Sequence, residues 1–235
     1  MKVLDLFSGI GGFSLGLERA GMETVAFCEI EDYPRKVLAK HWPDVPCYDD
    51  VRTLTKERLD NDGIGSIDVI CGGFPCQPFS TAGKRKGKND DRHLWPEMFR
   101  LIREIGPGYV IGENVAGFIT MGLDDVLSDL ESIGYTARAV NIPACAVNRD
   151  QRRQRVWILA YPLQGKRPLG RNLTGSWREP EQIPWNGMGE EKTAPRVVGG
   201  FNGIPYGLDR IRCLGNAVVP QIPELIGRAI MQLEP

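Results

Sequence analysis

Short apolar runs that break off at glycine, proline or an acidic residue alternate, over residues 3–161, with longer stretches of helical period. That alternation constrains the fold more than any other feature, because parallel strands need long crossover connections, and helices supply them. Residues 3–7, 24–28, 67–71, 109–111, 136–142 and 156–161 read as strands; 11–20, 32–41, 95–105, 123–133 and 221–233 read as helices. The expectation is an α/β fold with a mostly parallel sheet covered on both faces. From 162 to 205 the period stops, in a stretch with six prolines and eight glycines. The chain therefore divides into a main domain at 1–161, a small irregular lobe at 162–205 and a segment at 206–235 that returns to the main domain.

With 42% hydrophobic and 25% charged residues in 235, the chain has enough apolar side chain for a core. No apolar run reaches the ~18–20 residues of a membrane span. Asp5 interrupts the apolar start, so a secretory signal is not expected and the reading is cytoplasmic. The six cysteines form no Cys-x-x-Cys pair and only two histidines accompany them, so neither a metal site nor a disulfide scaffold is expected.

The net charge of −1 conceals an asymmetry: residues 1–137 carry −7, residues 138–178 carry +8, and residues 179–235 carry −2. A basic segment beside an irregular lobe suits a polyanion, although a solvated basic face has the same composition. Lys84-Arg85-Lys86-Gly87-Lys88 adds a second basic knot in a polar loop.

Three turns carry chemistry. Asp5-Leu6-Phe7-Ser8-Gly9-Ile10-Gly11-Gly12 is a glycine-rich strand-to-helix turn, and Glu29 follows the next strand. This arrangement holds an adenosine-containing cofactor, with the acid on the ribose; it does not choose between a nicotinamide dinucleotide and S-adenosylmethionine. Pro75-Cys76-Gln77-Pro78 sets a cysteine between two prolines at a strand's carboxyl end. That cysteine is either a nucleophile held in a fixed direction or an ordinary core residue. Glu113-Asn114-Val115 offers a general acid if buried, or a plain exposed turn. Alternation places Gln151, Arg153 and Arg155 on one face of a strand, as an anion-binding row or as a guarded sheet edge.

Taken in order, Asp5-Leu6-Phe7-Ser8-Gly9-x-Gly11-Gly12, Pro75-Cys76-Gln77, Glu113-Asn114-Val115, Gln151-x-Arg153-x-Arg155 and Gly215-Asn216-Ala217-Val218 resemble the motifs of the DNA cytosine-5 methyltransferases. The resemblance implies a Rossmann-like domain of the class I methyltransferase type with a small recognition lobe. It also implies S-adenosylmethionine as cofactor, no metal, and double-stranded DNA as partner of a monomer. In the family pattern Cys76 adds to carbon 6 of a flipped-out cytosine, Glu113 protonates the ring, and Arg153 and Arg155 hold the base. Asp5, Phe7, Ser8, Gly9, Gly11, Gly12, Glu29, Ile30, Asp50, Pro75, Asn216 and Val218 then belong to the cofactor site. Gln77, Ser80, Lys84, Arg85, Gln151, Lys166 and Arg167 belong to the DNA contact.

Two departures accompany the resemblance. The recognition region at 162–205 is much shorter than the family's usual one, and no arginine-containing motif is recognisable before Gly215. Three other readings are weaker. A dehydrogenase on the same fold would want a glycine where Ser14 stands; the tRNA-directed branch would want a Cys-Phe-Thr segment; a dead relative would have lost a catalytic position.

Overall fold

The computed structural model describes residues 1–75, 93–147, 153–163, 213 and 216–233. Seven strands form one sheet: β1 (Lys2–Leu6), β2 (Glu23–Cys28), β3 (Cys47–Tyr48), β4 (Val69–Gly72), β5 (Tyr109–Val115), β6 (Tyr135–Pro143) and β7 (Gln154–Pro162). Their order is β3-β2-β1-β4-β5-β7-β6. The first five strands in that order run parallel, while β7 runs antiparallel to both its neighbours. The sheet is mostly parallel, as expected, with one reversed strand inserted between β5 and β6.

Successive residues of a strand face opposite sides, and the two layers of core follow that alternation. Leu4, Leu6, Ile70, Val110 and Ile158 pack with Met98, Leu101 and Leu130 of the helices α4 (Trp95–Ile105) and α5 (Leu123–Ser132). Val3, Val69, Cys71, Ile111 and Trp157 turn the other way. They meet Phe13 and Leu17 of α1 (Gly12–Arg19) and Ile222 and Ile230 of the last helix, α6 (Gln221–Leu233). Burying each large aliphatic side chain contributes roughly 1.5–3 kcal/mol. α4 has Pro96 in its first turn and stops at Gly106, whose φ of 65° is the left-handed conformation glycine adopts freely. Helices α2 (Asp32–His41) and α3 (Lys56–Asn61) complete the β2–β4 half of the molecule.

α1 and α6 meet closely. A β-carbon on Gly16 would fall 2.3 Å from the Pro220 carbonyl oxygen, and one on Gly227 would fall 2.8 Å from the Ala20 β-carbon. Small residues on both helices let two backbones approach where larger ones would hold them apart. α6 thereby runs along α1, and Val218, just before it, lies against Gly12 at the amino end of α1, at the carboxyl ends of the parallel strands.

Candidate active site

In an open parallel sheet, ligands bind beyond the carboxyl ends of the strands. Here a cleft of about 700 Å³ lies there, walled by the segments that follow β1, β2, β4 and β5, by the start of β7, and by Cys213, Asn216, Ala217 and Val218.

The β1 wall is a tight turn. Phe7 has a φ of 54°, the only positive value among described non-glycine residues, with Gly9 at 53° and Gly11 at 85°. A bulky side chain in the left-handed region is strained, and such strain gathers at ligand sites. The Ser8 hydroxyl donates to the Asp5 carbonyl (2.6 Å), and the Gly11 N–H donates to the Ser8 carbonyl (2.9 Å). A β-carbon on Gly9 would meet nothing within 4 Å, so this stretch of backbone is open to a ligand. The Gly9 N–H donates to Glu29 Oε2 and the Glu31 N–H to Glu29 Oε1, both at 2.8 Å. Glu29 is buried, and burial raises its pKa despite those amide donors. At the far end, Arg52 binds both Asp50 oxygens, Nε to Oδ1 at 2.9 Å and Nη2 to Oδ2 at 2.8 Å, and holds that carboxyl below its usual range.

The opposite wall comes from β4, β5 and β7. Glu113 pairs across the sheet with Trp157, and Val115 with Arg155, so Glu113 and Arg155 are diagonal neighbours on one face. Arg155 Nε reaches Glu113 Oε1 at 2.8 Å, with the Glu113 side chain 12% exposed. Burial pushes the Glu113 pKa up; Arg155 and then Arg153 pull it down by less. The carboxyl therefore keeps a proton more readily than a surface glutamate does. A β-carbon on Gly73 would lie 3.2 Å from Glu113 Oε2, so glycine is what leaves the carboxyl its room. Asn114 Nδ2 donates to the Phe74 carbonyl (3.1 Å), tying β5 to the turn that leads into Pro75 and position 76. Arg153 Nη2 donates to the Asn216 carbonyl (3.1 Å) and links β7 to the final segment.

The cleft brings together Phe7, Ser8, Gly9, Gly12, Glu29 and Ile30 on one side. Glu113, Arg153 and Arg155 stand on the other, with Asp50 and Pro75 between and Asn216 and Val218 closing the rim. Two expected cofactor residues do not line it. Asp5 is wholly buried beneath the turn, and the space beside Gly11 is filled by the Trp42 ring, 2.6 Å from where a β-carbon would sit. Gly12 lines the cleft and also admits Val218, whose carbonyl oxygen would be 2.8 Å from an added β-carbon. Glu113 belongs to β5 rather than an exposed turn, and β7 is an interior strand rather than an arginine-guarded edge. Cys76, Gln77, Ser80, Lys84, Arg85, Gln151, Lys166 and Arg167 lie outside the described residues. Arg52, Cys213 and the tie made by Asn114 are cleft features the sequence reading did not single out. For Arg52 the available signal was an arginine two positions after an acid already assigned to the site.

An adenosine-sized ligand fits this space: 700 Å³ lies within the usual range of small-molecule sites. The Glu29 oxygens, each bound to one amide, keep acceptor capacity for hydroxyls. Among the described residues no cluster of three histidine, cysteine or carboxylate side chains is placed to hold a metal, and no helix is long and apolar enough to cross a membrane.

Residues 1–183 match the family of C-5 cytosine-specific DNA methylases. The chain is 36% identical over 162 residues to the Type II methyltransferase M.NgoMIV of Neisseria gonorrhoeae, covering 67% of this chain and 50% of that one. It is 34% identical to M.AgeI of Thalassovita gelatinovora, over 67% of this chain and 39% of the relative. The chain thus spans half or less of the length of these relatives. A solved E. coli prophage protein, described as a DNA modification methyltransferase by assignment, superposes with a TM-score of 0.60 at 27% identity, covering 69% of this chain and 47% of that one. The S. pombe Dnmt2 methyltransferase superposes with a TM-score of 0.58 at 25% identity, covering 71% and 53%.

Proposed function

Because the chain belongs to the C-5 cytosine-specific DNA methylase family, we propose that it methylates carbon 5 of cytosine in double-stranded DNA, with S-adenosylmethionine as methyl donor. The observation that carries this reading is one cleft with two kinds of wall: a glycine turn with a buried acid on one side, and a buried glutamate, its pKa raised by burial, paired with arginine on the other.

In this proposal Phe7, Gly9 and Glu29 hold the cofactor, Asp50 meets its adenine, and Asn216 and Val218 close over it. When bound, S-adenosylmethionine supplies the methyl group. The chain supplies the activation of cytosine. Cys76, as thiolate, forms a bond to carbon 6 of the flipped base. Glu113 gives its proton to ring nitrogen 3, so that the electron pair displaced by sulfur rests on a neutral ring and makes carbon 5 nucleophilic. Raised pKa and acid role agree: the proton must be on Glu113 when the thiolate arrives. The Arg153 and Arg155 guanidiniums steady the base and the glutamate left ionised. After methyl transfer, loss of the carbon 5 proton breaks the bond between Cys76 and carbon 6. Residues 162–205 are assigned to target choice, and the cytoplasm to the place of action.

Bisulfite sequencing of DNA from cells expressing the chain tests this directly. Protected cytosines in a defined sequence context are expected, lost in Cys76→Ser. With 5-fluorocytosine in the DNA, the parent protein should be trapped covalently, because fluorine cannot leave as a proton does. Methylation that survives Cys76→Ser at a comparable rate removes the proposal.

A further inference from the structure

α1 begins without a cap of its own. Its N-cap residue is Gly11, which has no side chain to offer the first amides of the helix. The cap comes instead from the neighbouring strand. Asp5 Oδ2 accepts the Ser14 hydroxyl at 2.7 Å and the Ser14 N–H at 3.3 Å, and Ser14 is the third residue of the helix, where a capping oxygen ordinarily bonds. Asp5 is 0% exposed, and its Oδ1 is buried with no hydrogen-bond partner of ordinary geometry. Cys71, directly opposite in the β1–β4 register, offers it only a weak thiol donor.

We propose that Asp5 is a positioning residue for the cofactor: its carboxylate, gripping α1 from beneath, sets the turn between Phe7 and Gly11, so that cofactor affinity follows the ionisation of this one buried group. The proposal rests on the reading of the cleft as an S-adenosylmethionine site. An ionised carboxylate accepts hydrogen bonds about twice as strong as a neutral acid does, and a negative charge at a helix amino end is favoured by the helix dipole. The protonated form grips Ser14 less, and the turn it anchors loosens.

The surroundings set where this happens. Burial raises the Asp5 pKa to about 7; the Ser14 bonds and the Cys71 thiol oppose that rise, and the Glu29 charge adds to it. Cys47 of β3 also feels the Asp5 charge. The charged residues of α1 and α6 are engaged elsewhere: Glu18 with the Trp42 indole, and Arg19 and Arg228 with Glu224. The folded chain thus binds more protons than the unfolded one between the ordinary aspartate range and about pH 7. Asp5 therefore costs stability progressively as pH rises through that window.

Asp5→Asn keeps an oxygen for Ser14 and cannot ionise. Calorimetric titration of S-adenosylmethionine from pH 5.5 to 8.5 should show the parent's affinity, relative to Asp5→Asn, rising about tenfold, the equivalent of one pKa unit of coupling. Melting without ligand over the same range should show the parent losing stability with pH relative to the variant. Ser14→Ala should raise the KM for the cofactor several-fold and leave kcat nearly unchanged. Parallel profiles for parent and Asp5→Asn in either titration or melting overturn the inference alone. Failure of the parent to bind S-adenosylmethionine at any pH removes the proposed function and the cofactor link together, while the melting profiles still decide the cap.

Discussion

Replacing Gly16 with alanine asks how closely the first and last helices must meet. The added β-carbon would lie 2.3 Å from the Pro220 carbonyl oxygen, 2.9 Å from the Glu224 amide nitrogen and 3.1 Å from the Pro223 β-carbon. The two nearest atoms are backbone, so no rotamer change relieves them; reaching even 3.0 Å requires the segment to withdraw by about 0.7 Å. Overpacking costs about 1–3 kcal/mol, and a backbone obstacle belongs to the upper part of that range. Alanine is better than glycine inside a helix by about 1 kcal/mol. The net expectation is a loss of about 1–2 kcal/mol, or roughly 2–8 °C in Tm for a chain of this size. Cofactor affinity should fall as well, because withdrawal pulls Asn216 and Val218 off the cleft they line. Denaturant unfolding and calorimetric titration of S-adenosylmethionine read the two effects. Gly63→Ala is the control: its φ of +79° brings strain, but nothing lies within 4 Å of the new atom, so cofactor binding should stand. A Gly16→Ala protein as stable as its parent, with undiminished affinity, refutes the close-packing account.

Glu113→Gln preserves shape and removes the proton; methylation should fall by about 10²–10⁴-fold, while the melting temperature with S-adenosylmethionine stays near that of the parent. A loss below tenfold would assign the proton to another group. Asn114→Ala strips the Phe74 carbonyl of its donor and should cost about 1–3 kcal/mol. It should also lower kcat more than it raises the cofactor KM, since the turn it releases leads to position 76. Equal effects on kcat and KM would show that Asn114 serves the whole cleft rather than that turn.

Much of this architecture was legible from periodicity. The helix at 95–105 emerges with those same limits because Met98, Leu101 and Ile102 mark one face and Gly106 ends it. Where the pattern fails, a physical reason is at hand. β5 reads as three residues but extends to Val115, since Gly112 and Glu113 break the apolar run while β7 supplies their ladder partners. α3 has a single buried residue, Leu59, and its start is marked by the Thr55 side chain accepting the Arg58 N–H, a cap without an apolar stripe. The reversed direction of β7 leaves no trace in a strand's own composition. The cofactor turn was legible as a motif, but motif order does not separate residues that touch the cleft from residues that hold up its floor. Asp5 and Gly11 belong to the second kind.

The meeting of α1 with α6 also sets a schedule. Gly12, Gly16 and Ala20 form the face of α1 that the segment from Val218 to Gly227 covers, and about two hundred residues separate the two in the chain. At ~5–20 residues per second, a ribosome adds the cover roughly 10–40 s after it has made the helix. Through that interval the sheet can pair strand by strand while the cleft lacks its rim. Until residues 216–218 are made, the cleft stands without the wall that Asn216 and Val218 supply. A chain cut short before residue 218 should then fold in part and bind S-adenosylmethionine more weakly than its parent, which calorimetric titration would read.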